Sequence, residues 1–270
     1  MIPYSRQSIN KDDVKNVIKV LKSDYITQGQ TVKRFEDKIC SIVKSKYAVA
    51  SNSATSSLHI SCIALGLKKG DWLWTSSNTF VASANCGRYC GANVDFVDID
   101  ENTFNISIDN LKQKLFKAKK KKILPKILVV VHFGGEPVNL KEIYKLSKKY
   151  NFKIIEDASH ALGSKYKGLP IGRPKYSEII CFSFHPVKPI TTAEGGVSVT
   201  NNLELAKKMR LLRNHGITRD IKDMSKKIKN YWYYEQQDLG YNYRMNDLEA
   251  SLGLSQLQKL RIFIKKRQLI

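Results

Sequence analysis

Three short segments carry residue types that can work together on a carbonyl compound. The first is Ser51-Asn52-Ser53-Ala54-Thr55-Ser56-Ser57, a run of small residues between an apolar run and a helical pattern. Small side chains let a ligand approach the backbone, and a helix N-terminus offers free N–H groups with positive partial charge. Ser53, Ala54 and Thr55 therefore suit a phosphate, although an ordinary Ser/Thr helix cap has the same pattern. The second segment, Ile154-Ile155-Glu156-Asp157-Ala158-Ser159-His160, puts a carboxylate at the C-terminal end of a strand pattern. Open α/β sheets bind ligands at that end. Asp157 suits a cationic ring nitrogen and His160 a neighbouring oxygen; the alternative is a turn-capping Asp and a packed His. The third segment, CFSFHPVKPITTAEGG over 181–196, ends a strand pattern in Ser183 and sets Lys188 between two prolines. Glu194-Gly195-Gly196 closes that turn. A lysine held in a constrained turn can be desolvated, lose its proton more readily and form a Schiff base. A phosphate cradle, a ring-nitrogen carboxylate and a Schiff-base lysine are together what pyridoxal 5'-phosphate requires.

The elements that must position these residues alternate along the chain. Strands are predicted at 46–51, 71–77, 94–100, 126–133, 152–158, 179–184 and 195–200. Helices are predicted at 11–22, 31–44, 55–67, 79–90, 107–118, 138–150 and 203–213. Short, nearly continuous apolar strands between amphipathic helices point to a buried, mostly parallel sheet in an α/β fold. Residues 221–240 have no clear period and read as a long polar-aromatic loop. Residues 245–270 read as one helix that reaches the last residue without a Gly cap or Pro stop.

The chain has 270 residues, 42% of them hydrophobic, which excludes a wholly disordered chain. No window approaches the roughly 18 apolar residues of a membrane-crossing helix, and the first residues lack an apolar signal core. A cytoplasmic location is the expectation. The five cysteines include only one close pair, Cys86 and Cys90, so neither a disulfide framework nor a metal site is expected. Lys and Arg total 46 against 24 Asp and Glu, a net charge of +22. That excess is mostly Lys and fits a solvated surface as well as a polyanionic ligand. The run KAKKKKILPK at 117–126 reads as a solvated helix end and loop.

Eight blocks in order carry a family resemblance: YSRQSI (4–9), LKSDYITQG (21–29), SNSATSSLH (51–59), TFVASAN (79–85), EDASHALGSKYKG (156–168), FSFHPVKPITTAEGG (182–196), RNHGITRD (213–220) and LGYNYRMNDLEASLGLSQLQKL (239–260). Through them the chain resembles the DegT/DnrJ/EryC1/StrS sugar aminotransferases over essentially its whole length. Within them it most resembles the branch that serves pseudaminic acid biosynthesis. Many family members have Gly where this chain has Ala54. The resemblance implies the fold type I, aspartate-aminotransferase-like architecture of pyridoxal-phosphate-dependent transferases. It implies a large cofactor domain over 1–240, and over 241–270 the start of a linker helix into a C-terminal small domain largely missing from the chain. It also implies transamination of a UDP-linked 4-keto-6-deoxy-N-acetylhexosamine, with L-glutamate as amino donor and a UDP-4-amino-4,6-dideoxy sugar as product. A homodimer with shared active sites follows in the same way.

Residue by residue, the resemblance makes Lys188 the Schiff-base and catalytic lysine, Asp157 the partner of the pyridine nitrogen and His160 a neighbour of the cofactor's O3′. Phe80 matches the aromatic that stacks on the ring. Thr55, Ser183 and the Ala54 backbone match phosphate contacts. Asn242 matches a residue that reaches the phosphate from the other subunit, a role for which Arg244 competes. Thr27 and Gln28 match a loop near the sugar nucleotide, and His185 and His215 are further candidates for lining the site.

Three other readings have their own signatures. Sugar dehydratases of the same fold carry His at the lysine position, and Lys188 argues against them. A basic nucleic-acid-binding protein is supported by charge alone, without a zinc-finger, RNP or helix-turn-helix pattern. A non-catalytic fragment would bind cofactor without turnover.

Overall fold

The computed structural model describes residues 5–226, 228, 230 and 232–269. The first half runs α1 (Lys11–Leu21), α2 (Gln30–Val43), β1 (Tyr47–Ser51), α3 (Ala54–Ala64), β2 (Trp72–Ser76), α4 (Ala82–Tyr89), β3 (Asn93–Val97), α5 (Ile108–Lys121) and β4 (Ile127–Val131). The second half runs α6 (Leu140–Tyr150), β5 (Lys153–Asp157), β6 (Lys165–Tyr166), β7 (Leu169–Pro170), β8 (Ile179–Ser183), β9 (Gly196–Thr200), α7 (Leu203–Arg213), β10 (Ile217–Thr218), β11 (Glu235–Gln236) and α8 (Asp247–Arg267).

The central sheet has seven strands in the order β1-β9-β8-β5-β4-β2-β3. From β8 to β3 the neighbours are parallel; β9 runs antiparallel to both β8 and β1. The mostly parallel α/β architecture expected from the strand and helix pattern is therefore present. Strand side chains alternate between two helical layers. Leu128, Val130, Ile154, Ile180 and Phe182 pack with α2, α5, α6 and α8. Ile127, Val129, Ile155, Ile179 and Cys181 pack with α3, α4 and α7. Burial on both faces is why these strands read as apolar runs rather than as alternating patterns.

α3 is the central helix of its layer, buried from Ser56 to Cys62. Its serines tolerate burial because each hydroxyl has a partner. Ser57 Oγ meets Ser51 Oγ at 2.5 Å, and Ser61 Oγ meets Ser198 Oγ at 3.0 Å. β1 lies at the sheet edge, where open backbone groups invite pairing with another chain. Side chains occupy that edge instead. Glu36 Oε1 accepts from Ala50 N at 2.8 Å, Arg213 donates to Ala50 O at 2.6 Å, and Arg210 donates to Ala48 O at 3.2 Å. Glu36 and Arg213 also pair with each other at 2.6 Å.

α8 begins in a capping box formed by Asn246 and Glu249. It packs on α1 through Asp13, which pairs with Lys259 and accepts from Gln256 Nε2 at 2.9 Å. Gly253 lets α8 close on α2, since a Cβ there would lie 2.6 Å from Phe35 Cε2. Among the described residues, no helix is long and apolar enough to cross a membrane.

Two features lie outside the sequence expectations. The helix predicted at 79–90 starts at Ala82, leaving Thr79 and Phe80 in the turn before it. Two short antiparallel pairs, the hairpin β6–β7 and the long-range pair β10–β11, were not predicted, because two-residue strands are too short to show a period. The first turns through Lys167 and Gly168, both at positive φ, as tight hairpin turns require.

Candidate functional site

The sheet register gathers the cradle and the end of β8. Ser51 of β1 lies opposite Gly196, and Gly196 lies opposite Ser183. The cradle packs directly on the start of β9. A Cβ at Gly196 would lie 2.4 Å from Ser53 O and 2.5 Å from Ala54 N, so only glycine allows this approach. Ser53 caps α3, accepting from Ser56 N at 3.1 Å. Ser56 Oγ in turn donates to Asn52 Oδ1 at 2.6 Å. The cradle thus braces itself, and the N–H groups of Ala54 and Thr55 belong to the first helical turn, whose donors have no intrahelical acceptor. Asn52 N donates to Tyr243 O at 2.9 Å, which ties the segment carrying Asn242 to the cradle.

Asp157 ends β5, paired with Cys181 of β8. It is buried and takes hydrogen bonds on both oxygens. Ser83 Oγ of α4 donates to Oδ2 at 2.6 Å. Ser159 donates to Oδ1 through its hydroxyl at 2.6 Å and its N–H at 3.2 Å. These bonds fix the plane of the carboxylate, a group that can pair with a protonated ring nitrogen. The neighbouring Glu156 points to the opposite face and pairs with His132 Nε2 at 2.8 Å. Strand alternation alone separates the site carboxylate from the structural one.

Lys188 sits on the loop between β8 and β9. That loop closes through Phe184 N to Gly195 O at 2.9 Å and Thr192 N to Phe184 O at 3.0 Å. Arg267 at the end of α8 donates to Lys188 O at 2.9 Å. The lysine's Nζ lies 2.6 Å from His160 Nε2. An ammonium only donates, so His160 Nε2 is the acceptor here. Burial lowers the His160 pKa, and the charge of Lys188 lowers it further. Burial also lowers the Lys188 pKa; Arg267 adds to this and Asp157 opposes it.

Lys188, His160 and Asp157 thus converge, with Ser183 and the cradle on the same side of the sheet. Ser183 Oγ accepts from His185 N at 3.5 Å, and the His185 side chain is exposed. Phe80 is 72% exposed, just ahead of α4. Thr27 and Gln28 lie elsewhere, on an exposed loop pinned by Asp247. The Asp247 carboxylate accepts from Gly29 N at 2.7 Å and Thr31 N at 2.8 Å. Gln28 lines a groove of about 1330 Å³ along the β1 edge with Arg213, Asn214 and Arg244. Lys188 lines a separate cleft of about 130 Å³ with Arg6, Thr191 and Arg267. Asn242 bridges to Asn214, to which Arg244 also donates at 2.9 Å. His215 N bonds to Tyr241 O in the same segment.

Sequence reasoning missed Ser83, Ser159, Asp247 and Arg267. Ser159 was findable, because an Asp followed two residues later by Ser is a local turn pattern. The other three act over long sequence separations and have no local signal.

The donor set fits pyridoxal 5'-phosphate. First-turn N–H groups suit its phosphate, the Asp157 carboxylate, hydrogen-bonded on both oxygens, its ring nitrogen and the half-buried Lys188 amine its aldehyde.

Comparison with known proteins agrees with this geometry. The profile of the DegT/DnrJ/EryC1/StrS aminotransferase family matches residues 7–270. A UDP-4-amino-4,6-dideoxy-N-acetyl-beta-L-altrosamine transaminase of Campylobacter jejuni is 44% identical over 268 residues, covering 99% of this chain and 67% of that protein. Helicobacter pylori PseC, an aminotransferase involved in the biosynthesis of pseudoaminic acid, superposes with a TM-score of 0.86 at 35% identity, over 96% of this chain and 66% of that one. A sugar aminotransferase from Streptococcus pneumoniae, solved in its PMP form, also gives a TM-score of 0.86, at 29% identity, over 99% of this chain and 70% of that one. The chain spans about two thirds of the length of the curated relatives it matches. By profile, sequence identity and fold together, it belongs to the DegT/DnrJ/EryC1/StrS aminotransferase family.

Proposed function

We propose that this chain carries the cofactor site of a pyridoxal-phosphate-dependent nucleotide-sugar aminotransferase. In this reading it moves an amino group from L-glutamate to a UDP-linked 4-keto-6-deoxy-N-acetylhexosamine. The product is a UDP-4-amino-4,6-dideoxy sugar for pseudaminic acid or a related surface glycan. The observation that carries the reading is the convergence of Lys188, His160 and Asp157 beside the Ser53–Thr55 cradle. The substrate class rests on the similarity to the Campylobacter jejuni transaminase.

Pyridoxal 5'-phosphate, when bound, supplies an electron sink for the charge left when an α-proton departs. The chain's residues do the rest. The N–H groups of Ala54 and Thr55, with Ser183, hold the phosphate. Asp157 keeps a proton on the ring nitrogen. The Lys188 amine, whose pKa burial lowers, takes the donor's α-proton and hands it on, as a general base and then a general acid. His160 accepts a hydrogen bond from Lys188 Nζ and so aims the amine. The excess of Lys and Arg favours approach of an anionic diphosphate. A cytoplasmic homodimer, in which Asn242 serves the partner's site, completes the proposal.

The decisive test offers the chain pyridoxal phosphate, L-glutamate and both C4 epimeric products' common UDP-4-keto precursor, with product identification by NMR. An amino sugar formed by the chain and absent with Lys188→Arg supports the reading. Cofactor uptake without turnover would reduce it to a binding unit. A gel-filtration mass of one chain would remove the homodimer.

A further inference from the structure

The Asp157 carboxylate takes one hydrogen bond that no local motif supplies. Ser83 Oγ lies 2.6 Å from Asp157 Oδ2, across 74 residues of sequence. Ser83 is fully buried, so water does not compete for this contact. A hydroxyl has a single proton, and an ionised carboxylate only accepts. Ser83 therefore donates to Asp157, and in its 2.8 Å contact with Thr79 Oγ1 it is the acceptor. The order Thr79 to Ser83 to Asp157 is thus set by proton counting alone.

The backbone of Ser83 is equally engaged. Its N–H donates to Phe80 O at 3.1 Å, and its C=O accepts from Cys86 Sγ at 3.3 Å. α4 is seated low on the sheet by Gly87, where a Cβ would lie 3.0 Å from Leu73 Cβ and 3.1 Å from Val94 Cγ2. Packing therefore decides where the Ser83 hydroxyl points. Ser159 holds Oδ1 and Ser83 holds Oδ2, so two separate elements fix the plane of the carboxylate. One of those elements also holds the turn that carries Phe80.

We infer that Ser83 is a positioning residue that orients the Asp157 carboxylate toward the cofactor's ring nitrogen and couples it to the Phe80 turn. The inference rests on the pyridoxal phosphate reading of the site. Without Ser83 the carboxylate keeps only its Ser159 contacts and is free to turn about its side-chain bonds, so its hold on the ring nitrogen weakens.

The experiment adds pyridoxal phosphate to the wild-type chain and to Ser83→Ala, Ser83→Cys, Ser83→Thr and Asp157→Asn. It reads the pH midpoint of the bound cofactor's visible absorbance and the dissociation constant by equilibrium dialysis. Ser83→Cys fills nearly the same space with a weak donor, which keeps the test open if the alanine variant does not fold. The expected result is a midpoint shifted in the direction seen with Asp157→Asn, and about tenfold weaker binding, roughly what losing a hydrogen bond to a charged group costs. Ser83→Thr, which keeps the hydroxyl, should restore both values. Wild-type midpoint and affinity in Ser83→Ala or Ser83→Cys, beside a shifted Asp157→Asn, would overturn the inference. So would a shift opposite to that of Asp157→Asn, or a threonine variant that fails to restore the midpoint. An unshifted Asp157→Asn would instead bring down the ring-nitrogen reading itself, and this inference with it.

Discussion

The amine of Lys188 and the imidazole of His160 lie 2.6 Å apart, nitrogen to nitrogen, with the lysine donating. Two potential cations tolerate this distance because the pocket lowers the pKa of both. At neutral pH the histidine is the neutral acceptor. A lysine with a lowered pKa has a larger neutral, nucleophilic fraction at any given pH. Lys188 should therefore react with an acylating reagent with a pH midpoint below that of exposed lysines in the same chain, as read by peptide mass spectrometry. Arg267→Gln removes a nearby cation and should move that midpoint upward. Equal midpoints for Lys188 and exposed lysines would show that the pocket does not tune the amine.

Lys188→Arg keeps a positive charge but cannot supply a neutral amine. With pyridoxal phosphate it should show no visible absorbance from a lysine adduct. Turnover should fall about 10³-fold or more, in the range that loss of a general base costs. Unchanged circular dichroism would separate this from unfolding.

Gly196 is the contact between β9 and the cradle. Gly196→Ala forces its Cβ against Ser53 O and Ala54 N, which belong to backbone and cannot swing aside. The expected cost is about 1–3 kcal/mol, typical of overpacking, read as a lower urea midpoint. Pyridoxal phosphate should also bind more weakly, because the displaced groups include the donors assigned to its phosphate. A variant with wild-type midpoint and affinity would refute the constraint.

Asp247 serves three backbone donors at the start of α2: Gly29, Thr31 and Val32. Asp247→Ala leaves them without a side-chain acceptor and should cost about 1–3 kcal/mol. Faster amide hydrogen exchange over residues 26–32 would localise the effect. Exchange unchanged there would mean the loop is held by other contacts.

Asp13 gives the chain an acid-sensitive contact. Burial pushes its carboxyl up, yet hydrogen bonds from Lys259, Ser255 and the Asn10 backbone outweigh it, and the folded pKa lies below 3.8. The unfolded state therefore binds more protons in this window. The contribution is full above the unfolded value and is lost as pH falls from about 4 through the folded value. Asp13→Asn should lower stability at neutral pH and flatten its decline below about pH 4, measured by urea unfolding across pH. A parallel decline in both proteins would place the acid sensitivity elsewhere.

Much of the architecture was legible because its signals are local. The run at 127–131 is apolar because both sheet faces are covered, and the predicted bounds there and around 153–157 fall within one or two residues of the strands. The antiparallel course of β9 was not legible, since GGVSVT reads the same in either direction. Of Thr27 and Gln28, expected near the sugar nucleotide, Gln28 lines the groove beside the β1 edge, and neither lines the Lys188 cleft. Their separation depends on where Asp247 docks α8, a contact spanning more than two hundred residues.

By itself, the amino-acid order determined which chemical groups exist and which strand or turn each one ends. Asp157 closes a strand, Lys188 sits in a proline-flanked turn and Ser53 caps a helix, because strand burial, proline geometry and capping act over a few residues. The tertiary structure alone decided how those groups are aimed. Register brings Gly196 against the cradle, α4 carries Ser83 to the far oxygen of Asp157, and loop closure sets Lys188 against His160. Each of these depends on packing between elements far apart in the chain, where hydrogen-bond direction and van der Waals contact leave one arrangement and sequence spacing carries no trace of it.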